Sequence, residues 1–250
     1  MCTVTWCSED SGYVLLFNRD EARTRGPAFP PEVRMRNGVR FISPMDSDAG
    51  GTWLGVNEYG VTVGLLNFCS TEYTADTQAL PPGGIKVSRG ILVNSLLDSP
   101  DIETVDARLR ETDRTRYMPF LLFAMESAER RAYWNWTGRA FERTDEPDLP
   151  LSTSGFSPED VLRFRSQVLR RIIDQHGGLS SETLFAFHCY HDPEYPTHSV
   201  SMEREEARTV SFTEIRVRRD HVSLAYTAGF PATGAAFPAL SVKRRVAATQ

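Results

Sequence analysis

Apolar positions along the chain recur mostly with a period of two, broken by stretches of helical period. Thr3-Val4-Thr5-Trp6 alternates, and the apolar run Tyr13-Val14-Leu15-Leu16-Phe17 follows the turn-forming Ser8-Glu9-Asp10-Ser11-Gly12, so the chain is expected to open with a β-hairpin. A second hairpin is predicted from Gly51–Val56 and Val61–Leu66 around the turn Asn57-Glu58-Tyr59-Gly60. Ser70–Gly84, with its prolines and glycines, reads as an exposed loop. Ser88 then caps a helix through Leu97, and Ser99-Pro100 supplies a cap and first-turn proline for a helix from Asp101 to about Glu111.

Strands are expected again at Phe120–Met125, Ala132–Trp136 and Ala140–Arg143. Ser157-Pro158-Glu159-Asp160 opens the longest helix, in which Val161, Phe164, Val168, Ile172 and Ile173 keep helical spacing until Gly177-Gly178 stops it. After a short helix near Ser181–Phe187, strands are predicted at Ser199–Met202, Thr209–Val217 and Val222–Tyr226, with turns at Glu203–Glu206 and Arg218–Asp220. Strands, helices, strands, helices and strands again describe an α+β fold of sheets covered by helices. Residues 1–242 read as a single domain and 243–250 as a loose tail.

Composition narrows the classes without choosing a chemistry. Hydrophobic residues at 40% and charged residues at 24% match a chain with an ordinary buried core. The net charge of -5 gives no reason to expect nucleic acid as a partner. Apolar runs such as Tyr13–Phe17 and Pro119–Met125 are far too short to cross a bilayer, and no secretory leader opens the chain, so a soluble cytoplasmic protein is expected. Cys2, Cys7, Cys69 and Cys189 form no CxxC pair, which argues for reduced thiols.

Candidate chemistry begins at Met1-Cys2. A small second residue favours removal of Met1, which would give Cys2 both a thiol and a free α-amine. Their ordinary pKa values, about 8.5 and about 8, allow proton exchange near neutrality. If the first turn sets Cys7 beside Tyr13, paired residue numbers sum to about 20, which puts Asn18 against Cys2 with Arg19 and Asp20 next. A guanidinium there favours the thiolate, and a carboxylate anchors or orients the amine. Asn67, at the end of the strand Val61–Leu66, is placed to donate to a developing oxyanion.

Met1-Cys2, Asn18-Arg19-Asp20-Glu21, Gly50-Gly51-Thr52-Trp53-Leu54-Gly55 and Leu66-Asn67 together resemble the NRDE family, also called the transport-and-Golgi-organisation 2 family. Ser88-Arg89-Gly90, Leu151–Ser154 and Tyr195–His198 extend the resemblance more loosely to about residue 217. The same landmarks are similar, more distantly, to the choloylglycine hydrolases and penicillin V acylases. The resemblance implies a four-layer αββα N-terminal-nucleophile hydrolase sandwich of two antiparallel sheets. Carried over, Cys2 becomes the nucleophile, Arg19 the cation beside the thiol, Asp20 the carboxylate beside the amine and Asn67 an oxyanion donor. Glu21 competes with Asp20 for its role. Where the acylases carry a second asparagine, this chain offers Thr153 or Ser154; where they carry a late arginine, it offers His198 or Arg208.

The expected activity is hydrolysis or acyl transfer at a linear amide or acyl bond of a small molecule, with Asn18, Trp53, Thr153, Ser154 and His198 as substrate-binding candidates and no cofactor. The alternative is a non-catalytic carrier of haem or of a lipid or acyl-CoA ligand on the same fold. His188, Cys189, His191 and His198 fit no standard metal spacing, and Pro193 and Pro196 make their segment an irregular loop, so no metal is expected. Aromatic residues such as Trp6, Trp134 and Trp136 fall in predicted strands, where core packing is the simpler role.

Overall fold

The computed structural model describes residues 2–67 and 87–245. The predicted loop Ser70–Gly84, and Cys69 beside it, lie outside the described residues. Six strands form the first sheet: β1 (Cys2–Glu9), β2 (Gly12–Ala22), β10 (Leu151–Thr153), β11 (Ala207–Val217), β12 (His221–Ala228) and β13 (Ala235–Lys243), in the order β10-β1-β2-β11-β12-β13. The second sheet runs in chain order through β3 (Phe29–Arg36), β4 (Val39–Met45), β5 (Leu54–Asn57), β6 (Thr62–Asn67), β7 (Phe120–Met125), β8 (Arg131–Trp136) and β9 (Phe141–Thr144). All the ladders within both sheets are antiparallel.

Three apolar layers hold these elements together. Side chains from the two facing sheets, among them Val4, Trp6, Leu15, Phe17, Leu54, Leu66, Phe123 and Ile215, form the central core. The outer face of the second sheet packs Val63, Leu65, Leu122 and Trp134 against α1 (Arg89–Leu96) and α2 (Ile102–Glu111). The outer face of the first packs Val14, Leu16 and Phe212 against α3 (Pro158–His176) and α4 (Ser181–Cys189). Helices, two sheets and helices make the αββα sandwich expected from the resemblance. Among the described residues no helix is long and apolar enough to cross a membrane.

Several local expectations require correction. The helix expected from Asp101 starts at Ile102, because the Asp101 carboxylate, and not Ser99, accepts the Thr104 N–H as the cap. α3 begins at Pro158, and Ser157 precedes it in the left-handed region at φ 37° without a side-chain cap; Gly177 closes the helix at φ 77° as expected. Ser199–Met202 is not a strand. Two of its carbonyls accept from side chains, Ser199 O from Arg165 and Val200 O from Asn18, and among the described residues only Met202 O takes a backbone N–H, from Thr209. Lys243, assigned to the tail, ends β13, and the next two residues donate backbone hydrogen bonds to Asp220 and Glu58.

Candidate active site

The first hairpin turns on Asp10 and Ser11 alone, with Glu9 paired to Gly12. The register is therefore one step from the expected one, and Cys2 faces Arg19 where Asn18 was predicted. Because strand side chains alternate, that step decides which residues share a face. Cys2 and Arg19 point between the sheets, while Thr3 and Asn18 point toward α3 and α4. β10 pairs Cys2 with Thr153 on its other side, so the cysteine is held within a three-strand ladder and is only 5% exposed.

A cavity of about 360 Å³ opens beside Cys2, and its lining includes Arg19, Asp20, Trp53, Asn67 and the first turn of α1. Two glycines let that turn approach: a Cβ on Gly51 would sit 2.4 Å from the Gly90 carbonyl carbon, and Thr52 N–H donates to Gly90 O at 3.0 Å. Arg19 is fixed on three sides. Its guanidinium carbon lies 3.9 Å over the Trp53 ring, and Nη2 donates to Asp46 Oδ2 at 2.5 Å and to Glu21 Oε2 at 3.4 Å. Arg25 grips the same Asp46 carboxylate with two bonds of 2.8 and 2.9 Å. Burial acts to raise the Asp46 pKa, but the hydrogen bond from Arg25, the Ala49 N–H and both guanidinium charges outweigh it and bring it down to about 2.

Asp20 and Glu21 alternate to opposite faces of β2, which separates the two carboxylates considered for the amine. Glu21 belongs to the Arg19–Arg25 side, 3.4 and 3.7 Å from those guanidiniums. Asp20 is 1% exposed, accepts from Thr209 Oγ1 at 2.7 Å and lies 3.5 Å from Arg165. Burial raises its pKa, opposed by the charges of Arg165, the terminal ammonium and Arg204 and by the Thr209 hydrogen bond.

Arg165 was not anticipated. It is completely buried and donates to Thr3 Oγ1 (2.5 Å), Ser152 Oγ (2.9 Å), His198 O (3.2 Å) and Ser199 O (2.8 Å). It thus ties α3, β1, β10 and the 198–199 segment to Asp20. The signal lay in the spacing: with Val161, Val168, Leu169 and Ile172 it occupies the buried stripe of α3, a position where a cation needs a partner. Asp46 and Arg25 were also missed, since nothing local marks a loop carboxylate as the partner of two arginines about twenty residues earlier.

The remaining candidates divide. Asn67 ends β6 opposite Phe120 and lines the cavity with Cys2. Asn18 does not line it: its amide donates to His188 O and Val200 O, both at 3.0 Å, and its oxygen lies 3.0 Å from His188 Nδ1. Thr153 is cross-strand from Cys2, and its buried hydroxyl has no hydrogen-bond partner among the described residues. Ser154 turns away to close a local loop with Phe156. His198 packs against Phe156, Phe164 and Tyr195, with Nδ1 2.9 Å from Thr197 Oγ1, and is outside the cavity lining. Arg208, the other candidate for the late arginine, sits across from Glu21 at an exposed position. His188 is buried between Asn18 and Thr5, and burial together with the Arg165 charge pushes its pKa down to about 3, so the ring is neutral. Among the described residues no group of three or more His, Cys, Asp or Glu is placed to hold a metal.

The Cys2 thiol is pushed up to about 11 by burial, with the Asp20 charge acting in the same direction. The terminal ammonium, a backbone hydrogen bond from Asp20 and the Arg19 charge act against it. The thiol is therefore neutral at pH 7 until a neighbouring base takes its proton.

The sequence matches the profile of Transport and Golgi organisation 2 over residues 1–226. The chain belongs to the transport and Golgi organisation 2 family. A search of curated proteins finds no match. Among solved structures, the fold is similar to a mutant of conjugated bile acid hydrolase from Clostridium perfringens, with a TM-score of 0.57 at 11% identity, covering 97% of this chain and 92% of that one. It is also similar to penicillin V acylase from Agrobacterium tumefaciens, with a TM-score of 0.52 at 12% identity over 97% and 86% of the two chains. An N-acylethanolamine-hydrolyzing acid amidase orthologue from Caenorhabditis elegans gives 0.56 at 12% identity, over 86% of this chain and 92% of that one. These neighbours are N-terminal-nucleophile hydrolases, and at such identities they establish for this family member the fold alone.

Proposed function

We propose that this protein is an N-terminal-cysteine amidohydrolase or acyl-transfer enzyme acting on a linear amide or acyl bond of a small molecule. The observation that carries this reading is the convergence of Cys2, Arg19, Asp20 and Asn67 on one cavity. Removal of Met1 frees the Cys2 α-amine, which takes the thiol proton; Asp20, backed by Arg165, holds the resulting ammonium. The sulfur attacks the carbonyl carbon, a C–S bond forms, and Asn67 donates to the oxyanion. Collapse breaks the bond to the leaving amine, which departs with the proton held on the α-amine. Water then adds to the thioester, and the acid and the free thiol are released; an acceptor amine or thiol in place of water gives acyl transfer.

Arg19 supports the negative sulfur from across the ladder, and its stacking on Trp53 keeps it there. Thr153 adds a hydroxyl beside the same cysteine. Intact mass measurement on protein from its native host tests the premise: loss of Met1 is expected, and retained Met1 contradicts it. Cys2→Ala should abolish turnover of amide or thioester substrates, whereas unchanged turnover excludes this nucleophile.

A second reading rests on the two positions where the chain departs from the acylases, Thr153 and His198: a protein that binds haem or a lipid-like acyl ligand without turning it over. Wild-type affinity in Cys2→Ala, with no covalent adduct in the parent protein, would support that role.

A further inference from the structure

A second cavity, of about 510 Å³, adjoins the first. It shares Arg19, Glu21 and Arg25 with the cavity beside Cys2 and continues past them to Arg23, Arg208, Tyr226 and Gly229. Four guanidinium groups line it against the single carboxylate of Glu21, in a chain whose net charge is -5. Three of the four have acidic partners: Arg19 and Arg25 share Asp46, and Arg23 pairs with Glu203 at 3.0 Å. Arg208 has no hydrogen bond or ion pair from its guanidinium among the described residues. The cavity therefore carries an uncompensated positive charge at its far end, which Val210 and Ala228 flank with apolar surface.

The position of that charge follows from the sheet. Arg208 is paired with Glu21 on the strand next to β2, and Cys2 with Arg19 on the strand before it. Two strand spacings across and two residues along separate the α-carbons of Cys2 and Arg208 by about 12 Å. A bulge at Val210 lies between these pairings, where a local change of aim is common beside binding sites. A substrate whose reacting carbonyl sits at Cys2 can extend beneath Arg19 and place a group within reach of Arg208.

We propose that the second cavity is an anion subsite, and that the substrate carries a phosphate or carboxylate on the order of 10 Å from its scissile bond, held by Arg208 in the field of Arg19, Arg23 and Arg25. As a statement about substrate it rests on the hydrolase reading above; as a binding site it is testable apart from it. The test is calorimetric titration of the full-length processed protein with octyl phosphate, octanoate and octanol, which share a chain and differ in the head. At least one of the two anions is expected to bind tenfold or more tightly than octanol. Phosphate against carboxylate preference distinguishes the two head groups. Arg208→Glu should remove the preference, Arg208→Ala should reduce it severalfold, and neither should change the weak binding of octanol. Equal affinity for charged and neutral heads, absence of measurable binding by all three, or a preference intact in Arg208→Glu overturns the subsite. Labelling of Cys2 by a neutral acyl electrophile, read on the same samples, reports separately on the nucleophile: its failure alongside an intact anion preference sinks the hydrolase reading and leaves the subsite.

Discussion

Replacing Arg165 with Met tests whether this buried cation supports the site. The change keeps a long side chain but removes the guanidinium from Thr3, Ser152, the carbonyls of His198 and Ser199, and its 3.5 Å pairing with Asp20. Breaking one side of a buried ion pair costs about 3–5 kcal/mol, because the remaining charge is stranded in low dielectric. At roughly 2–4 °C per kcal/mol for a chain of this size, the melting temperature should fall by about 6–20 °C. The pH dependence has a definite sign. Burial already raises the Asp20 pKa, and losing its cation raises it further, so the folded variant binds a proton more readily than the unfolded chain does. Stability is thus present at low pH and lost as pH rises through the folded pKa, and the deficit of Arg165→Met should shrink as pH is lowered from neutrality toward the ordinary carboxylate range. Adding Asp20→Asn removes the stranded charge and should restore part of the loss. Melting curves of the wild type, both single variants and the double variant over that range provide the assay. A deficit below about 1 kcal/mol, or a double variant that loses the full sum of the single effects, would refute the reasoning.

Three further outcomes follow from the same geometry. In protein that retains Met1, alkylation of Cys2 by iodoacetamide should be slow at pH 7 and keep rising toward pH 11, since burial holds the thiol neutral; a plateau near pH 8.5 would show an ordinary exposed thiol. Asp46→Asn should lose about 1–2 kcal/mol at pH 7, discounted for partial screening, and the difference from wild type should fade as pH falls from about 4 to about 2, because a depressed carboxylate stabilises only while ionised; urea titrations across that range read it. Gly51→Ala should cost about 1–3 kcal/mol and slow the labelling of Cys2, since the added methyl meets the Gly90 backbone at the cavity wall; an unchanged melting temperature would mean that this contact relaxes freely.

Much of the sandwich was legible because its central strands either alternate or form short apolar runs between turn signals. β1, β2, β6, β7, β8, β11 and β12 each bury one face or both in a packed layer, and the pattern shows it. Four strands were not. β3 carries Pro30 and Pro31 and leaves Val33 and Met35 exposed, and β13 carries Pro238 and a mostly exposed face, so neither was predicted. β4 (Val39–Met45), between β3 and β5, went unread as well. β10 has only three residues, and its role comes from pairing with a strand nearly 150 residues earlier. The hairpin was visible but its register was not, because Ser8–Gly12 offers several turn-forming residues and only Asp10 and Ser11 lie between the paired ends.

The site was legible to a similar depth. Cys2, Arg19 and Asp20 are local to one hairpin, and Asn67 ends an evident strand, so their meeting could be argued from strand geometry. The partners that separate Asp20 from Glu21 were not legible: Arg165 from α3 and Thr209 from β11 on one face, Arg25 and Asp46 on the other. Asn18 illustrates the limit. Its place in the Asn-Arg-Asp-Glu run makes it look like part of the reacting face, but the one-step register shift turns its amide toward His188 and the 198–201 segment, where it holds structure.

The most direct measurement is covalent trapping. Processed, full-length protein is treated with a panel of electrophilic amide and thioester probes, and the modified residue is mapped by peptide mass spectrometry. An S-acyl adduct on Cys2 that forms near neutral pH is expected, with Cys7 and Cys189 unmodified and the adduct absent after Arg19→Ala or Asp20→Ala. Probes that label Cys7 or Cys189 while Cys2 stays free, or that leave every cysteine unmodified, would contradict it.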